Sequence, residues 1–244
     1  MLVGALTVWA IVIVLTSFGV QHLWAPAARN RFFIILMAPG VIAHEVSHVL
    51  ACLLTGATVK EVSLSNAGVS GKVEHTRPII PILGQALIAL APLIGCGACL
   101  WLVTSTDVLQ PAAEGLGRGQ DPAAALARPE VFVNYLTNAI DETWYAVRAA
   151  NFKDWRTYAL LYVAILMAVH MSPSRRDLRT GLLSIVALGV AAFLVAQVRP
   201  KWVAVPVQEL WPFLTLCLAL SLSLLLLTLF AMGVIRFFRL MIGK

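Results

Sequence analysis

The residues with the clearest capacity for chemistry form one short motif, His44-Glu45-Val46-Ser47-His48. Residues i and i+4 of an α-helix share a face, so His44 and His48 can direct two imidazoles at one Zn²⁺. Glu45 lies beside that face, where a carboxylate can act as general base toward a water that the metal activates. The spacing therefore predicts a catalytic centre with one zinc ion per chain, in which His44 and His48 are ligands and Glu45 is the base.

The motif lies inside an apolar segment, residues 32–54, in which Glu45 is the only acidic residue. A charged side chain near the centre of a bilayer costs roughly 3 kcal/mol or more and marks a functional site by default. Pro39 and Gly40 stand one turn before the motif. They predict either a helix break that admits water or a kink that serves packing.

The composition of the whole chain indicates that the motif belongs to a membrane protein. Of its 244 residues, 60% are hydrophobic and only 12% are charged, against about 25% charged in soluble domains. This composition excludes a soluble enzyme, a disordered chain and a disulfide scaffold. Six apolar segments predict an all-α polytopic membrane protein with about six transmembrane helices. They are residues 2–20, 32–54, 79–103, 155–171, 182–198 and 213–235, of which the fourth is short and could extend at either end.

The connections between these segments differ in character. Residues 57–76 alternate apolar and polar side chains around a turn, which predicts a small membrane-associated β-hairpin after the second helix. The external loop, residues 104–154, contains an amphipathic helical stretch from about residue 129 to 150 that is suited to the membrane surface. Residues 199–211 are short and contain prolines, which predicts a loop. The hairpin pattern is carried by Val62, Leu64, Asn66, Gly68 and Val69.

The basic residues predict the orientation of the chain. With six spans and the long loop set aside, nine Lys and Arg residues lie on one side and four on the other. The positive-inside rule then places both termini and the hairpin in the cytoplasm. The net charge of +6 reflects these flanking residues, so no nucleic-acid partner is expected. The lipid bilayer is the expected surrounding of the chain.

A catalytic zinc site requires a third protein ligand. Asp177 and His170 lie at either end of the short connection between the fourth and fifth segments, and the hairpin offers Glu74 and His75. We place Asp177 first and His170 second. The alternative for Asp177 is a helix N-cap for the segment that follows.

Around these residues the chain resembles the site-2 protease family of intramembrane zinc metalloproteases, over about residues 32–182. That family carries an HExxH motif on one transmembrane helix, then a membrane-associated β-hairpin and a further helix. A later Asn-x-x-Pro…Leu-Asp-Gly segment provides the third zinc ligand through its Asp. Pro173 and Asp177 correspond to the Pro and Asp of that segment. His170 stands in place of the Asn, the Pro-to-Asp spacing is one residue shorter, and Gly181 does not directly follow the Asp.

The resemblance implies a zinc-dependent intramembrane endopeptidase. Zinc would be held by His44, His48 and Asp177, while His170 would position substrate or act as an alternative ligand. The reaction would hydrolyse a peptide bond in or near a transmembrane segment of a membrane-protein substrate, as in regulated intramembrane proteolysis. The expected location is a prokaryotic cytoplasmic membrane. The hairpin could receive substrate by strand addition, or it could simply cap the membrane face.

We expect a single membrane-embedded domain over residues 1–244, of which the resemblance covers about residues 32–182. Residues 1–31 form a first helix and loop, 32–182 the metalloprotease core, and 183–244 two accessory helices. Two rival functions fit the motif less well. One is a catalytically silent scaffold that binds transmembrane helices, and the other is a membrane protein that binds or transports zinc.

Overall fold

The fold is almost entirely helical, with one small antiparallel sheet. It is a computed structural model that describes residues 2–26, 30–63, 71–109, 124–126, 128–173 and 178–241. The sheet pairs β1 (Val59–Ser63) with β2 (Lys72–His75), and a 3₁₀ turn covers Ala124–Leu126. The helices are α1 (Leu2–Trp24), α2 (Arg31–Thr55), α3 (Pro81–Thr104), α4 (Pro129–Ala149), α5 (Trp155–His170), α6 (Leu178–Val198) and α7 (Pro200–Met241).

Five of these helices are long and apolar enough to cross a membrane: α1, α2, α3, α6 and the Pro200–Phe238 part of α7. The chain is therefore compatible with a multi-pass membrane protein. The predicted fourth span forms α5, which has 16 residues. At 1.5 Å per residue that is about 24 Å, shorter than the roughly 30 Å of a bilayer hydrocarbon core.

The predicted loop at residues 199–211 is wrong, because residues 200–211 belong to the continuous helix α7. Proline is tolerated in the first turn of a helix, which is where Pro200 stands. Pro206 and Pro212 lie in the interior of α7, where the sequence suggested a break. Tertiary packing overrides that tendency, since Trp211 is buried and its ring lies 4.8 Å from that of Trp9 in α1.

Both ends of α2, the helix that carries the motif, are capped by its own flanking residues. The Asn30 side chain accepts a hydrogen bond from the Phe32 N–H at 2.9 Å. At the other end Gly56 adopts a left-handed conformation, with φ of 69°, that closes the helix. The helix is continuous through Pro39, so the predicted break is wrong. The Tyr162 hydroxyl of α5 also donates to the Leu36 carbonyl, which ties α5 to this part of α2.

The predicted hairpin is confirmed in its two strands, which pair Val62 with Val73 and Ser63 with Lys72. Val62 is half exposed, whereas Leu64, Asn66, Gly68 and Val69 lie outside the described residues. The hairpin is anchored to the bundle by an apolar cluster. That cluster combines Val59 and Val73 of the strands with Ala51, Cys52, Ala57, Ile88 and Ala91. The strands are therefore held against α2 and α3.

The predicted amphipathic stretch forms α4, which packs on the helix bundle through its apolar side. The rings of Phe132 and Tyr135 meet Trp9 edge-on, at 5.6 and 6.1 Å between centroids. Ala139 and Thr143 further along the helix are buried. This apolar face therefore covers side chains of α1 and α7.

Candidate metal centre

The three residues of the motif lie together in the interior. His44, Glu45 and His48 are all buried, with at most 6% of their surface exposed. The two imidazole centroids are 4.9 Å apart, as expected for positions i and i+4. His44 Nε2 lies 4.0 Å from Glu45 Oε1. The helical spacing read from the sequence thus brings two imidazoles and one carboxylate to one place.

The orientation of His44 is fixed by the end of α5. His44 Nδ1 lies 2.8 Å from the main-chain carbonyl oxygen of His170. A carbonyl can only accept, so Nδ1 carries a proton, and in the neutral imidazole Nε2 then keeps the lone pair that binds metals. The His170 carbonyl is available because the last four carbonyls of a helix have no partner within that helix.

The orientation of His48 is fixed in the same way by α3. His48 Nδ1 lies 2.9 Å from the main-chain carbonyl oxygen of Ile88, so its Nε2 also keeps a lone pair. A metal-binding histidine typically donates its second ring N–H to a carbonyl or carboxylate, which sets the tautomer and the ring direction. Two buried neutral imidazoles held in this way fit the donor set that zinc prefers.

His170, the alternative ligand, is buried at the end of α5 with 1% of its surface exposed. Its Nδ1 lies 2.9 Å from the carbonyl oxygen of Leu166 in the preceding turn. The ring is pressed against Gly40 of α2, where an added Cβ would overlap Nδ1 and come within 2.8 Å of Cε1. Of the two interpretations of Gly40, close packing is therefore the one that the structure favours.

We expect Gly40→Ala to weaken both the fold and zinc binding. The methyl group would push the His170 ring, and with it the end of α5, away from α2. Overpacking of this kind costs roughly 1–3 kcal/mol. Thermal unfolding in detergent and zinc affinity by competition with a chelator measure the two effects. Gly233→Ala is the matched control, since nothing lies within 4 Å of a Cβ added at Gly233. Equal zinc affinity in both variants would contradict the expectation.

The third ligand stays a prediction, because Asp177 lies outside the described residues. In the part of the chain that the structure describes, no three His, Cys, Asp or Glu side chains form a group able to hold a metal. His75 Nδ1 is bonded to the carbonyl of Thr76 at 2.8 Å, and Glu74 is exposed on β2. Glu74 and His75 therefore stay alternatives to Asp177 and His170.

The main chain of the hairpin reaches Glu45 at Gly71, which immediately precedes β2. A Cβ built on Gly71 would lie 2.6 Å from Glu45 Oε1 and from its carboxyl carbon. Only a glycine lets the backbone approach the carboxylate this closely. The sequence did not predict this contact. Its one indication in the sequence is the glycine at the end of the predicted turn.

Helix α1 holds the end of α5 through hydrogen bonds that the sequence analysis did not predict. The Ser17 hydroxyl lies 2.9 and 2.8 Å from the carbonyl oxygens of Ala168 and Val169. Gln21 Nε2 donates to the Val169 carbonyl at 2.9 Å, and the Ser172 N–H donates to Ser17 Oγ at 3.2 Å. These bonds satisfy carbonyls of the final helical turn and fix the His170 carbonyl that holds His44.

Comparison with protein-family models, with curated proteins and with solved structures finds no match to this chain. The functional interpretation therefore depends on the residues of the site itself.

Proposed function

We propose that this chain is an intramembrane zinc metalloprotease resembling the site-2 proteases. One observation carries the proposal. On an apolar helix, two buried histidines donate their Nδ1 protons to main-chain carbonyls, beside a buried glutamate. Burying a carboxylate on an apolar helix is costly, so a buried glutamate beside two histidines marks a functional site. The His44 and His48 imidazoles would hold a cation, which would add a positive charge beside the Glu45 carboxylate.

The proposed chemistry assigns a separate task to each residue. His44, His48 and Asp177 hold the zinc ion. When bound, zinc polarises the scissile carbonyl and lowers the pKa of a water toward about 7. The Glu45 carboxylate, 4.0 Å from His44 Nε2, accepts the proton of the attacking water and delivers it to the leaving amine.

The proposed substrate is a transmembrane segment of another protein, in keeping with regulated intramembrane proteolysis. A helical segment hides its amides, so it must become extended before a peptide bond is hydrolysed. The hairpin is suited to receive an extended chain by strand addition, since β1 and β2 form a sheet of only two strands. The approach of Gly71 to Glu45 would bring a strand added beside β2 close to the base.

The proposed topology has six spans, with α5 as the short fourth one and both termini in the cytoplasm. The apolar character of α5 and its packing on α2 and α3 support its place inside the bundle. Neighbouring helices can shield a short span from the mismatch with the bilayer. A prokaryotic cytoplasmic membrane is the proposed location.

Metal removal tests the proposal. We expect the purified protein to contain one zinc ion per chain, and 1,10-phenanthroline to abolish cleavage of a transmembrane substrate in proteoliposomes. Added zinc should restore cleavage, because the ligands are protein side chains that survive chelation. Metal content is measured by mass spectrometry and cleavage by gel electrophoresis. Undiminished cleavage by the metal-free protein would contradict a metalloprotease.

The third ligand is tested by comparing Asp177→Ala with His170→Ala. We expect Asp177→Ala to lose zinc, because it removes one of three protein ligands. We expect His170→Ala to keep zinc, because the carbonyl that holds His44 belongs to the main chain. Zinc content at a matched protein concentration decides between them. Loss of zinc in His170→Ala alone would show that the imidazole of His170 is the ligand.

A further inference from the structure

The carbonyl that accepts the hydrogen bond from His48 belongs to Ile88, in the interior of α3. In a continuous α-helix the carbonyl of residue i accepts from the N–H of residue i+4. The residue four positions after Ile88 is Pro92, which has no N–H. Helix α3 continues through Pro92, and both residues are buried. The Ile88 carbonyl therefore lacks its usual helical donor, the N–H four residues later.

We propose that Pro92 is a positioning residue for the zinc site, because its missing N–H reserves the Ile88 carbonyl for His48. This inference rests on the proposed zinc site. Proline is the least favourable residue in a helix interior, and a buried carbonyl without a donor is unfavourable as well. The His48 Nδ1 proton, 2.9 Å away, satisfies the carbonyl and fixes the imidazole, whose Nε2 is then the atom that would bind zinc.

His44, the other histidine of the motif, is also held by a main-chain carbonyl that lacks its usual helical donor. The His170 carbonyl is the last of α5, so it too has no helical donor and accepts from His44 Nδ1 instead. One helix end and one internal proline thus supply the two acceptors that set both imidazoles. Since the two carbonyls come from different helices, the packing of α3 and α5 on α2 determines the direction of both rings.

The first part of the test is Pro92→Ala, which restores the N–H that competes for the Ile88 carbonyl. We expect zinc affinity, measured by competition with a chelator in detergent, to fall about 10- to 100-fold, as is typical when a partner of a zinc ligand is removed. We expect thermal stability of the metal-free protein to stay equal or to rise, because alanine favours the helix. Pro206→Ala in α7, at an exposed position far along the chain, should leave zinc affinity unchanged.

The second part of the test distinguishes the effect of the missing N–H at position 92 from the effects of the proline ring and of any kink in α3. Lactic acid incorporated at position 92 by nonsense suppression gives an ester that has the alanine side chain and no N–H. We expect this variant to bind zinc as tightly as the parent. If Pro92→Ala binds zinc like the parent, or if the lactic acid variant is as weak as Pro92→Ala, the inference is overturned while the metalloprotease stands. Absence of zinc from the parent would overturn both.

Discussion

Glu45→Gln is expected to lower the rate of substrate cleavage by about 10²- to 10⁴-fold while bound zinc stays at the parental level. The amide matches the carboxylate in shape but cannot accept a proton from water. Zinc should be retained because the proposed ligands His44 and His48 and their carbonyl partners are unchanged. Cleavage is measured in proteoliposomes with a single-span substrate, and zinc is measured on the same preparation by mass spectrometry.

Glu130→Gln is the matched control for this prediction, since Glu130 is an exposed acid in the first turn of α4. It should change neither rate nor metal content. A Glu45→Gln variant that cleaves at the parental rate would show that Glu45 is not the base. A variant that loses its zinc would show instead that the carboxylate is needed to bind the metal.

His44→Ala and His48→Ala should each reduce bound zinc from one per chain to near zero. Each removes one of two buried imidazoles whose centroids are 4.9 Å apart, and two remaining ligands hold zinc poorly. Each also leaves a carbonyl, that of His170 or Ile88, without its side-chain donor. That loss costs about 1–3 kcal/mol, so both variants should also unfold at a lower temperature.

His22→Ala serves as the control for the histidine variants, because His22 is exposed near the end of α1 and stacks on Phe18. It should keep both zinc and thermal stability. Helical content by circular dichroism separates loss of metal from loss of fold. A folded His48→Ala protein with a full complement of zinc would contradict the assignment of the motif.

Much of the candidate site could be predicted from sequence because its spacing is local. The interval from His44 to His48 is one helical turn, so a helix is enough to bring both rings to one face. Glu45 stands out in the sequence as the one acid of an apolar run, and the structure buries it with 2% of its surface exposed. The strands of the hairpin were equally local, since alternation around a turn needs no knowledge of distant residues.

The parts that depend on distant packing could not be predicted. Ser17 and Gln21 reach the end of α5 across about 150 positions of sequence, and no periodicity reports such a contact. The proximity of Gly71 to Glu45 requires the hairpin to fold back over α2. Helix α7 begins earlier than the sequence predicts, because prolines in its first half favour a break in the helix. Packing of Trp211 on Trp9 stabilises the helix there.

The identification of the scissile bond tests the central claim most directly. Parent protein and Glu45→Gln protein, each with its zinc content measured, are reconstituted with a single-span substrate, and the fragments are analysed by mass spectrometry. We predict that the parent cuts within or next to the transmembrane segment and that the Glu45→Gln protein, with equal zinc, does not. Fragments from both proteins in equal amount, or cuts only in the soluble parts of the substrate, would contradict an intramembrane metalloprotease.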